Sequence, residues 1–384
     1  MERLQTIEQF IADRNMHGLH YETYRAFLQR VNPDKYDDER CRRSFELCER
    51  ILTLKRDKGV WIDMHNYVDQ DIIGVADGIG DSFKLAVLAQ EIPRERVTTV
   101  VGAKVRFMNE TTKILNPTLR VIQANRFAGC SLADSIDAEA LQDAKERLQK
   151  KYPDLYVMAY VNTTAEVKAL SDVCCTSRNA VTIAKKLPNR TLMFIPDENL
   201  GREVARQLGE APIPYSSLQA ALPQKQLVSP NGDATFVLWQ GHCYVHQDIN
   251  PELVHQLKVA YPGIAVLAHP ECTPDVLRLI DDDKILSTEG MIQYVRKAPQ
   301  TKFALLTSCG LPELIRAELP PGKEILFDFG ACRHCQFMAR IKLEDVLRVL
   351  EDEREAARNE IHLDPEVLAK ARIPLERMIE LSQN

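Results

Sequence analysis

Residues 59–67 read GVWIDMHNY, residues 154–162 read DLYVMAYVN and residues 263–271 read GIAVLAHPE. Each is a short, β-rich, mostly apolar run that ends on polar side chains. A strand buried on both faces of a parallel sheet has this pattern. Downstream of each run lie an acidic residue and then a hydroxyl that opens a helix, in ADGIGDSFKLAVLA, SDVCCTSRNAVTIA and DDDKILSTEGMIQYV. Ser82, Ser177 and Ser287 follow His65, Tyr160 and His269 by 17, 17 and 18 residues. The parallel continues through a second strand (VTTVVGAKVRF, TLMFIPD, KFALLTS) and a second helix (ETTKILN, LGREVARQLG, GLPELIRAEL). A third strand closes each unit (LRVIQAN, ATFVLWQ, EILFDF). The chain is an internal threefold repeat.

Alternating strands and helices predict α/β architecture with small parallel sheets, built from βαβ units. Ligands then bind beyond the carboxyl ends of the strands. Those ends carry His65, Asn66 and Tyr67, then Tyr160 and Asn162, then His269 and Glu271. Ser82, Ser177 and Ser287 or Thr288 are expected at helix N-caps, where free N–H groups and the helix dipole attract anions. Three such helix ends on a common axis would suit a small polyanion. The boundaries read as a helical extension (1–54) and three α/β domains (55–148, 149–250 and 251–345). Helices in 346–384 are expected to pack back on the first.

The 384 residues suffice for two or three domains, with 45% hydrophobic and 27% charged residues. A net charge of -6 gives no nucleic-acid footprint. The N-terminus is charged from residue 2, unlike a signal peptide, and no run approaches the ~18 apolar residues of a membrane span. A cytoplasmic protein is expected.

Ten cysteines in such a chain suggest metal or redox chemistry rather than a disulfide framework. A cysteine follows the last strand of each repeat: Cys130, Cys243 in WQGHCYVH, and Cys335, with Cys332 competing for the last place. No local zinc or ferredoxin spacing bridges gaps of 113 and 92 residues. One thiolate per repeat could still meet on the axis. Three thiolates leave one iron of a four-iron cluster without a protein ligand, open to substrate oxygen; three thiolates on zinc are the other possibility. Cys41 and Cys48 lie seven residues apart on one helical face and read as packing thiols. Cys174 and Cys175 read as buried against a sheet.

HNY, ADGIGDS, FMNETTKILNP, AGCSLADS, YVNTTAEVKALSD, CTSRNAV, IPDENLGR, WQGHCYVH, AHPEC and CRHCQFM occur in this order. With the closing HLDPEVLAKARIPLERMIEL, the ordered set resembles the quinolinate synthase family over roughly residues 57–384. The resemblance implies three α/β/α domains around a pseudo-threefold axis, a [4Fe–4S] cluster and the active site lying on that axis. It implies condensation of iminoaspartate with dihydroxyacetone phosphate to quinolinate, with loss of phosphate and water. An aspartate-oxidising enzyme would supply the first substrate.

Carried over by position, Cys130, Cys243 and Cys335 would be the cluster ligands. His65, Tyr67, Ser82, Tyr160, Asn162, Ser177, His246, His269, Glu271, Ser287 and Thr288 would be substrate-site residues. Glu271 is the expected general acid/base, with Tyr67 and His65 as proton partners. Three stretches depart from the family pattern: HNYVDQDI lacks Pro-Glu, Leu286 replaces a glycine, and Thr307-Ser308-Cys309 replaces Thr-Glu. Competing readings are an iron–sulfur hydro-lyase of another small dicarboxylic acid, a zinc enzyme, and a non-catalytic redox sensor using Cys332 and Cys335.

Overall fold

The computed structural model of the chain describes residues 6–187, 191–216 and 236–383. The fold is α/β with three small all-parallel sheets flanked by helices, as the repeat predicts. The first sheet holds β1 (Val60–His65), β2 (Gly78–Gly80), β3 (Thr99–Ala103) and β4 (Arg120–Gln123), in the order β2-β1-β3-β4. The second holds β5 (Tyr156–Tyr160), β6 (Val173–Cys175), β7 (Leu192–Ile195), β8 (Ile213–Pro214) and β9 (Phe236–Leu238), in the order β6-β5-β7-β9-β8. The third is β10 (Ala265–Ala268), β11 (Lys302–Leu306) and β12 (Glu324–Ile325), in that order. An isolated parallel bridge, Ala268 to Ile285, stands where β2 and β6 flank β1 and β5. Residues 234 and 235 of the expected strand ATFVLWQ lie outside the described residues.

The strands are apolar because both faces are covered: Ile62, Met64, Val157, Met158 and Leu267 are all fully buried. One charged pair is buried among them. Lys104 Nζ lies 2.5 Å from Asp63 Oδ2 and donates to Thr112 Oγ1 at 2.7 Å.

The chain divides into two compact units. The first comprises Met1–Gly129, Glu252–Leu267 and Thr288–His362. It contains the first sheet, most of the third, and three N-terminal helices, Ile7–His17, Tyr21–Val31 and Asp38–Lys58. The last of these starts at an Asp37 cap, whose carboxylate accepts from the Arg40 N–H at 2.8 Å, and stops at Gly59 in the left-handed conformation (φ +61°). Cys41 and Cys48 are buried along its face, as expected of packing thiols. The second unit comprises Cys130–Pro251, Ala268–Ser287 and Leu363–Asn384. It holds the second sheet, with Cys174 and Cys175 buried in β6.

Two expected helix caps are displaced. Asp81, not Ser82, caps the helix Ser82–Glu91, because its carboxylate accepts from the Lys84 N–H at 2.8 Å; Ser82 is the first helical residue. After β6 the chain makes an extra turn, in which Asn179 Oδ1 accepts from the Thr176 N–H at 2.6 Å. The helix therefore begins at Ala180, and Ser177 precedes it on the turn.

Candidate active site

In the second unit, strand ends converge on one carboxylate. Tyr160 ends β5, and His269 and Glu271 follow β10. The buried Tyr160 hydroxyl donates to Glu271 Oε1 at 2.5 Å. His246, on the short helix Tyr244–Gln247, brings Nδ1 to 2.7 Å from Glu271 Oε2. The rings of His246 and His269 stack at 4.5 Å and 18°. Burial would raise the Glu271 carboxyl, but His246 and His269, with the Tyr160 hydrogen bond, hold it down at about 2.

His269 is set by its neighbours. The Glu271 N–H donates to His269 Nδ1 at 3.4 Å, so the ring proton sits on Nε2, which faces Ser177 Oγ at 3.2 Å. Burial lowers His269 to about 3, although Glu271 pulls it up, so the ring is neutral at neutral pH. Ser177 Oγ thus accepts from His269, and its own O–H is left to donate elsewhere.

Behind Glu271 lies a second layer that the sequence did not disclose. Asn199 Nδ2 donates to the Glu271 carbonyl at 3.1 Å and to Gln247 Oε1 at 2.8 Å. Asp197, fully buried, caps the helix Glu198–Leu208 through the Leu200 N–H at 2.7 Å and accepts from the Cys243 N–H at 3.2 Å. Burial, and then the charge of Glu271, push the Asp197 carboxyl well above the usual carboxylate range. The aspartate ahead of the helix in IPDENLGR is an N-cap signal that could have found Asp197, though not its hold on Cys243.

Cys243 Sγ, a His246 nitrogen and a Glu271 oxygen lie within 4.8 Å of one another and could hold a metal ion. His242 is exposed and is not among them. Asn162 is half-buried, and its Oδ1 is buried without a protein hydrogen-bond partner among the described residues.

In the first unit, His65 ends β1 and accepts at Nδ1 from the Tyr67 N–H at 3.2 Å. The two rings meet edge-on at 4.6 Å. The Tyr67 hydroxyl lies 2.8 Å from Thr307 Oγ1 and 3.2 Å from Thr288 Oγ1. Thr307, known from the sequence only as a departure from the family pattern, is therefore a partner of Tyr67. Gly310 packs so closely that a Cβ there would lie 2.5 Å from the Tyr67 carbonyl oxygen. Ser82 is half-buried as the first residue of its helix. Ser287 is buried just ahead of the helix Thr288–Lys297.

The cysteines sort by state. Cys309 and Cys332 form a disulfide, with Cα atoms 5.0 Å apart. The bond runs to Cys309, not within the C-x-x-C, because a parallel bridge joins Ser308 to Arg333. Of the eight reduced thiols, Cys41, Cys48, Cys174, Cys175 and Cys272 are buried, while Cys130, Cys243 and Cys335 are half-buried. The repeat also fixes a register. A bridge joins Asp197 to Gly241, two residues before Cys243, and the bridge at Arg333 lies two residues before Cys335. No helix among the described residues is long and apolar enough to cross a membrane.

A family model described as quinolinate synthetase A protein matches residues 49–380. The chain is 35% identical over 341 residues to the quinolinate synthase of Sulfurihydrogenibium sp. (strain YO3AOP1), covering 88% of this chain and 99% of that one. It is 38% identical over 336 residues to the quinolinate synthase of Thermus thermophilus, covering 87% and 96%. It is 36% identical over 340 residues to that of Caulobacter vibrioides (strain NA1000 / CB15N), covering 87% and 82%. A match this long and this even, on a chain whose strand ends gather histidines, hydroxyls and a buried glutamate, means that the chain belongs to the quinolinate synthase family of NAD-biosynthetic enzymes.

Proposed function

We propose that the enzyme condenses iminoaspartate with dihydroxyacetone phosphate to give quinolinate, phosphate and water, with Cys130, Cys243 and Cys335 holding a [4Fe–4S] cluster. The observation that carries the ligand set is the sorting of the thiols: the three at the ends of the repeats are the reduced ones left half-buried. Thiolates suit iron–sulfur ligation, and the register shared by Cys243 and Cys335 supports Cys335 over Cys332. When bound, such a cluster offers an open iron as a Lewis acid for substrate oxygen.

The remaining roles belong to side chains. Glu271, held between Tyr160 and His246, is the proton acceptor and donor of the site. Tyr67, with His65 beside it, is the second proton partner. Ser177, Asn162, Ser82, Ser287 and Thr288 offer hydroxyl and amide groups to substrate carboxylates and phosphate. His269 fixes the direction in which the Ser177 hydroxyl donates. Iminoaspartate is supplied by an aspartate-oxidising enzyme. We place both in the cytoplasm, whose reducing poise keeps thiols available for a cluster.

Anaerobic purification followed by the product assay tests this reading. A brown protein with iron and sulfide that releases quinolinate from the two substrates is expected. A colourless protein with stoichiometric zinc would overturn the cluster, and an intact cluster without quinolinate would overturn the substrates.

A further inference from the structure

The family match begins at residue 49, so the first two helices and the start of the third lie outside it. The chain also departs from the family pattern just after Tyr67, in Val68-Asp69-Gln70-Asp71. The structure joins these two peculiarities within the first unit. From Asp71 to Ala76 the segment shows its carbonyls to the N-terminal helices. The Tyr24 hydroxyl donates to the Asp71 carbonyl at 2.7 Å, and Arg14 donates to the carbonyls of Ile73 (2.9 Å) and Ala76 (2.7 Å). Lys55 donates to the Val75 carbonyl at 3.0 Å. Gly74 lies so close to these helices that a Cβ would meet Cys48 Sγ at 2.6 Å.

Gln70 carries the hold toward the site. It is fully buried, and its backbone N–H donates to the Tyr36 hydroxyl at 3.0 Å. Its side-chain Nε2 donates to the carbonyls of Asn66 (3.0 Å) and Val68 (2.8 Å). Those are the carbonyls of the two residues that flank Tyr67. The turn closes on itself through the Val68 N–H and the His65 carbonyl at 3.2 Å. Both amide protons of Gln70 are thus spent on the backbone that aims His65 and Tyr67, and the N-terminal helices fix where Gln70 stands.

We propose that Gln70 is a positioning residue for Tyr67, and that the N-terminal extension is an intramolecular brace acting through Tyr36 and Gln70. The proposal rests on the reading of Tyr67 as a substrate-site residue. Gln70→Met keeps the volume and removes both donors. It should lower kcat about 10²-fold, the cost of misplacing a reacting group by about 1 Å. Tyr36→Phe leaves the Gln70 side chain untouched and loosens only its anchor. It should cost about threefold to tenfold in kcat, the worth of one hydrogen bond.

The test measures kcat and KM for Gln70→Met, Tyr36→Phe, Tyr67→Phe and the Gln70→Met/Tyr67→Phe double variant, alongside melting temperature and cluster absorbance. The expected result for Tyr36→Phe is a fall in kcat at parental absorbance, with only the small drop in melting temperature that one lost buried hydrogen bond brings, and for the double variant a kcat no lower than that of Tyr67→Phe alone. Gln70 then acts through Tyr67. Losses that multiply in the double variant would overturn the inference. If Tyr67→Phe itself turns over normally, the substrate-site reading of Tyr67 falls and takes this inference with it. If Tyr67→Phe is impaired and Tyr36→Phe is not, only the brace falls. Should Gln70→Met fail to fold, Tyr36→Phe combined with Tyr67→Phe completes the same cycle.

Discussion

Tyr160 and Glu271, 111 residues apart in the chain, meet at 2.5 Å, the phenol donating to the carboxylate. The other oxygen of Glu271 faces His246 Nδ1 at 2.7 Å. One carboxylate is therefore held at both oxygens, with no rotational freedom left to lose when substrate arrives. Glu271→Gln keeps the shape and removes the proton acceptor. It should lower turnover by about 10²–10⁴-fold, the usual span for a general acid/base, with cluster absorbance unchanged. Quinolinate formation by the anaerobic variant measures this; near-parental turnover would remove Glu271 from the chemistry.

The half-buried thiols should behave differently from the rest. Cys130→Ala, Cys243→Ala and Cys335→Ala should each lose visible absorption together with bound iron and sulfide. Cys41→Ala and Cys175→Ala should keep them. Burial pushes the Cys41 thiol up to about 11 and the Cys175 thiol well above the usual thiol range, so neither supplies a thiolate at neutral pH. Iron removal with a chelator should abolish turnover without unfolding the chain. Loss of iron from Cys41→Ala would contradict the ligand set.

Asp69 gives a pH-dependent stability. Burial would raise its carboxyl, but Lys35 (2.6 Å) and Lys342 (2.8 Å) outweigh burial and hold it below the usual carboxylate range. Arg40 sits near both Asp69 and its acidic neighbour Asp71. A depressed carboxyl stabilises the fold above its unfolded pKa of about 3.9, and that contribution disappears as pH falls through the folded value. Asp69→Asn should cost about 1–2 kcal/mol at pH 7, discounted for the water that reaches Lys342 and Arg40. The gap should close toward pH 3. Denaturant midpoints of both proteins across that range measure it, and a gap independent of pH would mean that packing, not charge, is lost.

Gly310 tests how finely Tyr67 must be placed. A methyl group at Gly310 would lie 2.5 Å from the Tyr67 carbonyl oxygen and 2.7 Å from its carbonyl carbon and Cα. The backbone of Tyr67 has to move. Gly310 is the first residue of its helix, so the gain in helix propensity does not offset a clash with backbone. Gly310→Ala should therefore lose turnover, about 10²-fold for a shift near 1 Å, and also about 1–3 kcal/mol of stability. Unchanged kcat would show that Tyr67 tolerates displacement.

The strands and their ends were legible because a strand buried on both faces must be apolar until it reaches the site. The threefold recurrence of that pattern predicted small parallel sheets built from βαβ units. Capping was legible only to within a residue or two: Ser82 and Ser177 looked like caps, but Asp81 and the Asn179 turn compete more strongly for the free amides. Asp197, Asn199 and Gln70 were illegible as site residues. A buried polar group draws its meaning from its partner, and theirs lie across a turn or many residues away. The Cys309–Cys332 pairing was hidden for the same reason, since it depends on the bridge between Ser308 and Arg333.

Neither compact unit is a continuous stretch of chain, and this governs the order in which the protein can be completed during synthesis. The first unit draws its pieces from Met1–Gly129, Glu252–Leu267 and Thr288–His362. Tyr67 is made long before Thr307, its hydroxyl partner 240 residues later. The second unit waits longer still. Its helix Pro365–Gln383 ends the chain, and Arg377 on that helix reaches the Tyr156 hydroxyl of β5 at 3.0 Å. A nascent chain therefore carries Tyr67 before its partner Thr307 exists, and a premature stop ahead of residue 362 leaves both units without their last pieces.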